Sequence, residues 1–324
     1  MNSLFINKYQ PLVFNDFETD VEMIEILETL IQMNNLNILF IGDIGSGKTS
    51  FLNAVIREYY GGLLPENYSE NILHINSLKE QGINYYRNDM KIFCQTCSVI
   101  KGKKKIIVLD DIDIINEQSQ QVFRNCIDKY SHNVHFIASC SNSQKVIESI
   151  QSRLTIIRIK PLTRSNLSTI MNKITTAESI ILTPDAEEFV LNISNNTAKI
   201  MVNYLEKFKL LNQIITFDLA NQVCTNISFS SFEAYTNYIL NKQLKEAIRL
   251  IYSIYDKGYS VMDILDNYFL FVKTTAILDE TQKYDIVPFI CKYITVFYNI
   301  HEDEIELALF TNNLYSIVNK NICE

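Results

Sequence analysis

Residues 19 to 33, TDVEMIEILETLIQM, set Val21, Ile24, Leu27, Ile31 and Met33 near a 3.6-residue period, which predicts an amphipathic helix. The next apolar run is continuous: Ile38-Leu39-Phe40-Ile41 predicts a strand buried on both faces. ILHIN at 72 to 76 predicts a second strand, Ile106 to Leu109 a third and Val134 to Ser139 a fourth. A helix from about Glu117 to Tyr130 separates the last two. Strands alternating with helices predict a parallel sheet covered on both faces. From Thr163 onward the strand signals fade and helical patterns run to the end. Pro161-Leu162 and the stretch from Asn226 to Ser231 are the expected seams, which divides the chain into an α/β domain at 1–162 and helical domains at 163–226 and 227–324.

A chain of 324 residues with 47% hydrophobic content is long enough for two or three domains, each with its own core. No apolar run approaches the ~20 residues of a membrane span. The start, MNSLFINKYQPLVF, lacks the basic n-region and apolar core of a signal peptide, so an intracellular protein without a membrane partner is expected. Seven cysteines, an odd number and scattered, suit reduced thiols better than a disulfide framework. Cys94 and Cys97 form one C-x-x-C, but no second pair completes a zinc site. The net charge of −8 argues against a general grip on nucleic acid and leaves room for a local basic surface inside an assembly. KGKKK at 101 to 105 is the densest basic run, read as a solvated loop ahead of the third strand.

Chemistry enters with GDIGSGKTS at 42 to 50. Gly42, Gly47, Lys48 and Thr49 fit G-x-x-x-x-G-K-[ST], directly after the Ile38-Ile41 strand, which is the context the motif requires. Without side chains at Gly45 and Gly47 the loop can turn N–H groups of residues such as Ser46 and Ser50 onto phosphate oxygens. Lys48 would meet the terminal phosphates and the Thr49 hydroxyl would bind Mg²⁺. ATP and Mg²⁺ are the expected ligands. Asp110 ends the third strand, where a second carboxylate must sit to hold the metal through its water shell. Asp111 follows, placed to orient or deprotonate an attacking water, although it is one methylene shorter than the Glu usual there. The glycine loop alone does not separate a kinase from a motor, a switch or a loader.

Further stretches resemble one family. NKYQP at 7 to 11 is similar to the Lys-Tyr-Arg-Pro opening of replication factor C small subunits, AAA+ clamp-loader ATPases. HINSLKEQGINYYRNDMKIF at 74 to 93 matches a segment ending Gly-Ile-x-x-(Val/Ile)-Arg at Gly82, Ile83 and Arg87. SCSNSQKVIESIQSRL at 139 to 154 resembles the sensor-1 strand running into a Ser-Arg-Cys motif, and IELALFTNNL resembles the end of the collar. The resemblance implies an α/β P-loop AAA+ ATPase domain with a parallel sheet, then a small helical lid and an all-helical collar. The implied activity is ATP hydrolysis at subunit interfaces of a pentamer that loads a sliding clamp on primer-template DNA.

The same resemblance assigns roles by position. Arg153 falls on the arginine finger that acts in trans. The sensor-1 Asn falls on Ser141, with Asn142 one place later, so either the shorter hydroxyl carries that role or the register slips by one, and the slip to Asn142 is the preferred reading. The sensor-2 Arg of a Gly-Asp-x-Arg pattern falls on Lys199, fixed by Asn203 and Leu205. Gln120 and Arg124, four apart on one helix face, resemble residues that link DNA and neighbouring subunits to the Asp110 strand. Arg87 and Lys91 share a face expected to meet DNA phosphates, with Lys79 a substitute for a lost Arg. Leu154 replaces the Cys of Ser-Arg-Cys and Gln10 replaces an Arg. These departures leave open a subunit that binds nucleotide without hydrolysing it and donates Arg153, or another AAA+ initiator or remodeller.

Overall fold

A computed structural model describes residues 4–19, 21–61, 63–76, 83–194, 196–224, 227, 229–275, 277–297 and 303–320. The chain forms two compact units, Met1–Thr216 and Phe217–Glu324.

The first unit opens with α1 (Phe5–Lys8) and α2 (Val21–Gln32), followed by β1 (Ile38–Ile41), α3 (Lys48–Tyr60), α4 (Pro65–Tyr68), β2 (Ile72–Asn76), α5 (Ile83–Gln95), β3 (Lys105–Asp110), α6 (Glu117–Tyr130), β4 (Val134–Cys140), α7 (Glu148–Gln151) and β5 (Thr155–Arg158). The strands form one five-stranded sheet in the order β2-β3-β4-β1-β5, every pairing parallel. Because successive side chains alternate across a strand, Ile106 and Val108 pack with Phe40, Ile137 and the α3 residues Phe51, Leu52 and Val55. Ile107 and Leu109 instead join Phe123, Phe136 and Met90 on the other face. Two separate cores thus clamp the sheet, and β1 and the Ile106–Leu109 part of β3 read as continuous apolar runs.

Two sequence expectations are corrected here. The helical stripe on α2 buries Leu27, but Val21 is 67% exposed, and Met33, just past the helix, is 70% exposed. The basic run is not a solvated loop throughout. Lys105 is the buried first residue of β3, its Nζ 4.4 Å above the Phe93 ring, and Lys103 Nζ donates to the Tyr59 carbonyl at 2.6 Å. The four-carbon stems let these lysines cover aromatic surface while the ammonium finds acceptors.

Three helices complete this unit: α8 (Arg164–Glu178), α9 (Pro184–Ile193) and α10 (Ala198–Leu211). The N-terminal segment is pinned to them. Tyr9 Oη donates to Glu178 Oε1 at 2.6 Å, Lys8 pairs with the same carboxylate, and Phe5 N donates to Glu206 Oε1 at 3.3 Å. The Lys8 and Tyr9 hydrogen bonds hold the Glu178 carboxyl below the usual carboxylate range.

The second unit is helical: α11 (Phe217–Val223), α12 (Phe229–Leu240), α13 (Leu244–Tyr255), α14 (Val261–Thr274), α15 (Glu280–Phe297) and α16 (Ile305–Lys320). Its core gathers Phe232, Tyr235, Tyr268, Phe271 and Phe310. The buried hydroxyls find partners, Tyr235 Oη with Thr311 Oγ1 at 2.9 Å and Tyr268 Oη with Thr236 Oγ1 at 3.3 Å, so the aromatic core leaves neither group unsatisfied.

Candidate nucleotide site

β1 lies between β4 and β5, and the loop after it, residues 42–47, runs into α3 at the carboxyl ends of the strands. Gly47 caps α3 with φ 92, and Gly45 has φ 81, values that side-chain-bearing residues rarely adopt. A Cβ at Gly45 would also lie 2.6 Å from Thr197 Cγ2, so the loop passes directly against the start of α10. The first N–H groups of α3 have no intrahelical acceptor and carry the positive end of the helix dipole, a ready anion cradle. Ser46 Oγ is buried in this loop without a hydrogen-bond partner among the described residues, a polar atom that a phosphate oxygen would satisfy.

Lys48 is only 8% exposed, and its ammonium donates to Gly42 O at 2.9 Å, Asp43 O at 3.0 Å and Ser141 Oγ at 3.1 Å. Next to it Thr49 Oγ1 donates to Asp110 Oδ2 at 3.0 Å, and Asp110 Oδ1 accepts from Ser139 Oγ on β4. Ser50, the following residue, is half-buried on α3. Asp111 leaves the strand with φ 53, a left-handed conformation that Asp tolerates, and its N–H donates to Ser139 Oγ at 3.1 Å. Burial and then the neighbouring Asp110 charge raise the Asp111 carboxyl above its ordinary range, against the pull of Lys48. The hydroxyl of Thr49 and the carboxylate of Asp110 are hard oxygen donors side by side, a donor set that suits Mg²⁺.

The two alternatives at the end of β4 have different partners, and the preferred Asn142 is not the one at Lys48. Ser141 points its hydroxyl at Lys48, whereas the Asn142 side chain accepts from Gln144 N at 2.9 Å and caps the short 3-10 turn Ser143–Lys145. The Asn142 amide oxygen is thus engaged within its own turn. Ahead of α10, Asn196 takes φ 57, the left-handed position where a glycine otherwise serves, and Thr197 is the N-cap. Lys199 in the first turn of α10 is exposed.

Arg153, just past α7, pairs with Asp128, and its Nη1 donates to Ser149 O at 2.7 Å. Arg124 Nε lies 3.3 Å from the other oxygen of Asp128, so one carboxylate gathers both arginines. The Arg153 hydrogen bond holds the Asp128 carboxyl below the usual range. Gln120 shares a helix with Arg124 but turns inward and is 2% exposed. Its Nε2 donates to Ile112 O, Ile115 O and Lys145 O, and its Oε1 accepts from Ile147 N at 2.9 Å. It thereby ties the loop after β3 to the segment leading to Arg153, which a solvated polar face would not do. Of the residues expected to meet DNA, Lys91 is exposed on α5 and lines a surface hollow with Lys129 and Asn125. Arg87 belongs to α5, but its side chain lies outside the described residues, as do Lys79 and Gly82. Cys94 is buried, which pushes its thiol up to about 12, while Cys97 is exposed.

Sequence reasoning missed Ser139 and Asp113. Asp113 Oδ2 accepts from Ser141 N at 3.1 Å and Asn142 N at 2.9 Å. The signal was present in DDID, whose last Asp lies beyond the strand that the first one ends.

Comparison with known proteins fits this geometry. The family model described as "ATPase family associated with various cellular activities (AAA)" matches residues 38–162, and the "Replication factor C C-terminal domain" matches residues 230–293. The chain is 28% identical to a replication factor C small subunit of Methanocella arvoryzae, over 82% of each chain. It is 29% identical to replication factor C subunit 4 of Schizosaccharomyces pombe, over 87% of this chain and 82% of the relative. Among solved structures, the RuvB Holliday junction branch migration motor of Thermotoga maritima has a TM-score of 0.53 at 14% identity, covering 74% of this chain and 85% of that one, which supports the fold alone. An ATPase-family match over the glycine loop and both strand-end carboxylates is thus followed by a replication factor C match over the C-terminal helices, and the chain is similar to replication factor C small subunits along most of its length.

Proposed function

We propose that this chain is an ATP-driven clamp-loader subunit, which helps to open a sliding clamp and close it on primer-template DNA at sites of replication. The observation that carries the reading is the pair of contacts from adjacent residues, Lys48 to Ser141 and Thr49 to Asp110, in a chain whose C-terminal helices match replication factor C. Lys48 and the N–H groups opening α3 would bind the terminal phosphates of ATP. Thr49 and Asp110 would hold Mg²⁺, which supplies charge neutralisation on the phosphates when bound. Asp111, its carboxyl raised by burial, would accept a proton from the attacking water. Ser141 and Lys199 would contact the terminal phosphate, from the end of β4 and from the first turn of α10 within the 163–226 helical segment.

In this reading residues 227–324 form the collar that joins subunits, and Arg153 acts on the nucleotide of a neighbour. A guanidinium with fixed charge and a forked donor set suits phosphate charge in a transition state. Gln120 and Arg124 would carry the state of the Asp110 strand toward that interface. Arg87 and Lys91 would hold DNA phosphates, several subunits each adding a few cations although each chain is net negative.

A second reading, a scaffold subunit that binds ATP and donates Arg153 without turnover of its own, is favoured by the shorter Asp111 and the unforked Lys199. The deciding experiment for clamp loading is affinity purification of the native assembly on this chain with a slowly hydrolysed ATP analogue, followed by mass spectrometry. A ring-forming clamp among the co-purified proteins is expected, and its consistent absence beside intact partner ATPases would overturn the reading.

A further inference from the structure

The turn after β3 and the turn after β4 meet through one carboxylate. Asp113 Oδ2 accepts both successive backbone N–H groups of that second turn, from Ser141 at 3.1 Å and Asn142 at 2.9 Å. Its other oxygen, Oδ1, is buried without a hydrogen-bond partner among the described residues. Carboxylates accepting backbone N–H groups make charge-assisted bonds, so this contact fixes the turn more firmly than a neutral acceptor would. What it fixes is the Ser141 hydroxyl, which lies 3.1 Å from Lys48 Nζ.

We propose that Asp113 is a positioning residue of the nucleotide site: by gripping the Ser141–Asn142 turn, it holds the Ser141 hydroxyl where the terminal phosphate of a bound nucleoside triphosphate is sensed. This rests on the nucleotide-site reading above. A serine hydroxyl reaches less far than an asparagine amide, so a short sensing group needs its backbone set closer and held harder. The three acceptors around the Lys48 ammonium match its three hydrogens, and two of them are backbone carbonyls of the loop itself. A γ-phosphate taking Lys48 frees the Ser141 hydroxyl to donate to the same phosphate, provided its backbone does not drift. Asp113 reaches the nucleotide only through that turn and touches no phosphate itself. A nucleoside diphosphate lacks the group that Ser141 reads, so its binding does not depend on the turn.

The test is equilibrium binding of ATPγS and ADP, each with Mg²⁺, to the full chain and to Asp113→Ala and Asp113→Asn, with melting temperatures measured in parallel. Asp113→Ala is expected to weaken ATPγS about 5- to 10-fold, the size of a missing hydrogen bond in such a site, and to leave ADP within about 2-fold. Asp113→Asn keeps an acceptor oxygen for both N–H groups and is expected to restore most of the preference. Equal weakening of both nucleotides by Asp113→Ala would mean a merely structural role and would overturn the proposal. Unchanged affinity for both would overturn it too. A wild-type chain that binds neither nucleotide would instead remove the nucleotide-site reading on which the proposal stands.

Discussion

Thr49 Oγ1 donates to Asp110 Oδ2 at 3.0 Å across 61 residues of sequence, joining the first turn of α3 to the tip of β3. The contact depends on the strand order, because β3 reaches β1 only across β4, and Ser139 of β4 braces the same carboxylate from the other side. Asp110→Asn keeps the shape and removes the charge. We expect ATP turnover by the assembled complex to fall about 100-fold or more, since a neutral amide is a poor Mg²⁺ ligand. Titration of Mg²⁺ against turnover checks it, and an unchanged Mg²⁺ requirement would contradict the assignment.

Arg153 pairs with Asp128 within the chain, yet its proposed target is a neighbour's nucleotide. Arg153→Ala is therefore expected to lower turnover of the assembled complex about 1,000-fold, in the range of an arginine finger, with ATP affinity retained. The isolated chain should hydrolyse ATP poorly with or without the substitution. Robust turnover by a proven monomer, insensitive to Arg153→Ala, would contradict a shared site.

His135 sits on β4 with no exposed surface, its Nδ1 accepting from Leu36 N at 3.3 Å and its Nε2 against Asn34 Oδ1 at 3.1 Å. Burial, and then the charges of Lys104 and Lys103, push its pKa down to about 3. The folded chain thus keeps this ring neutral while the unfolded chain protonates it near its ordinary value of about 6.5. The stability from this group is present above about pH 6.5 and is lost on acidification at up to about 1.4 kcal/mol per pH unit until the folded pKa is reached. Denaturant melts from pH 7 to 5 should show the decline, and His135→Gln should flatten it. An identical pH slope in both proteins would refute the account.

Arg87 and Lys91 stand four apart on α5, and phosphate contacts carry no sequence code. Replacing both by Ala should weaken DNA binding by the assembled complex about equally for unrelated sequences. The salt slope should fall by about 0.9 for each phosphate that is no longer neutralised. A salt titration at fixed ATP reads both, and unchanged affinity and slope would mean that this face does not meet DNA.

Much of this architecture is legible in the sequence, and the reason differs by element. β1 at Ile38–Ile41 and α6 at Glu117–Tyr130 follow the predicted limits, because β1 is a continuous apolar run inside the sheet and α6 repeats its buried Gln120, Phe123, Ile127 and Tyr130 three and four residues apart. β5 at Thr155–Arg158 is not legible: it is an edge strand of four residues in which only Ile157 is buried, so composition barely marks it. The glycine loop, Asp110 and Asp111 stand out because their spacing is set by local geometry. Ser139, Asp113 and the inward turn of Gln120 do not, because each acts through backbone groups brought near by the sheet. The choice between Ser141 and Asn142 needs the end of β4, where one residue of register decides which side chain faces Lys48.

The central claim is that ATP bound at Lys48 drives clamp closure on primed DNA, and the most direct measurement is retention of the co-purified clamp on a primed, closed circular DNA after removal of free protein. With wild-type chain and ATP, the clamp is expected to stay on the circle and to be released when the circle is cut. With Lys48→Ala, or without nucleotide, retention should fall to background. Equal retention by the Lys48→Ala complex, or retention that ignores ATP, would contradict the account.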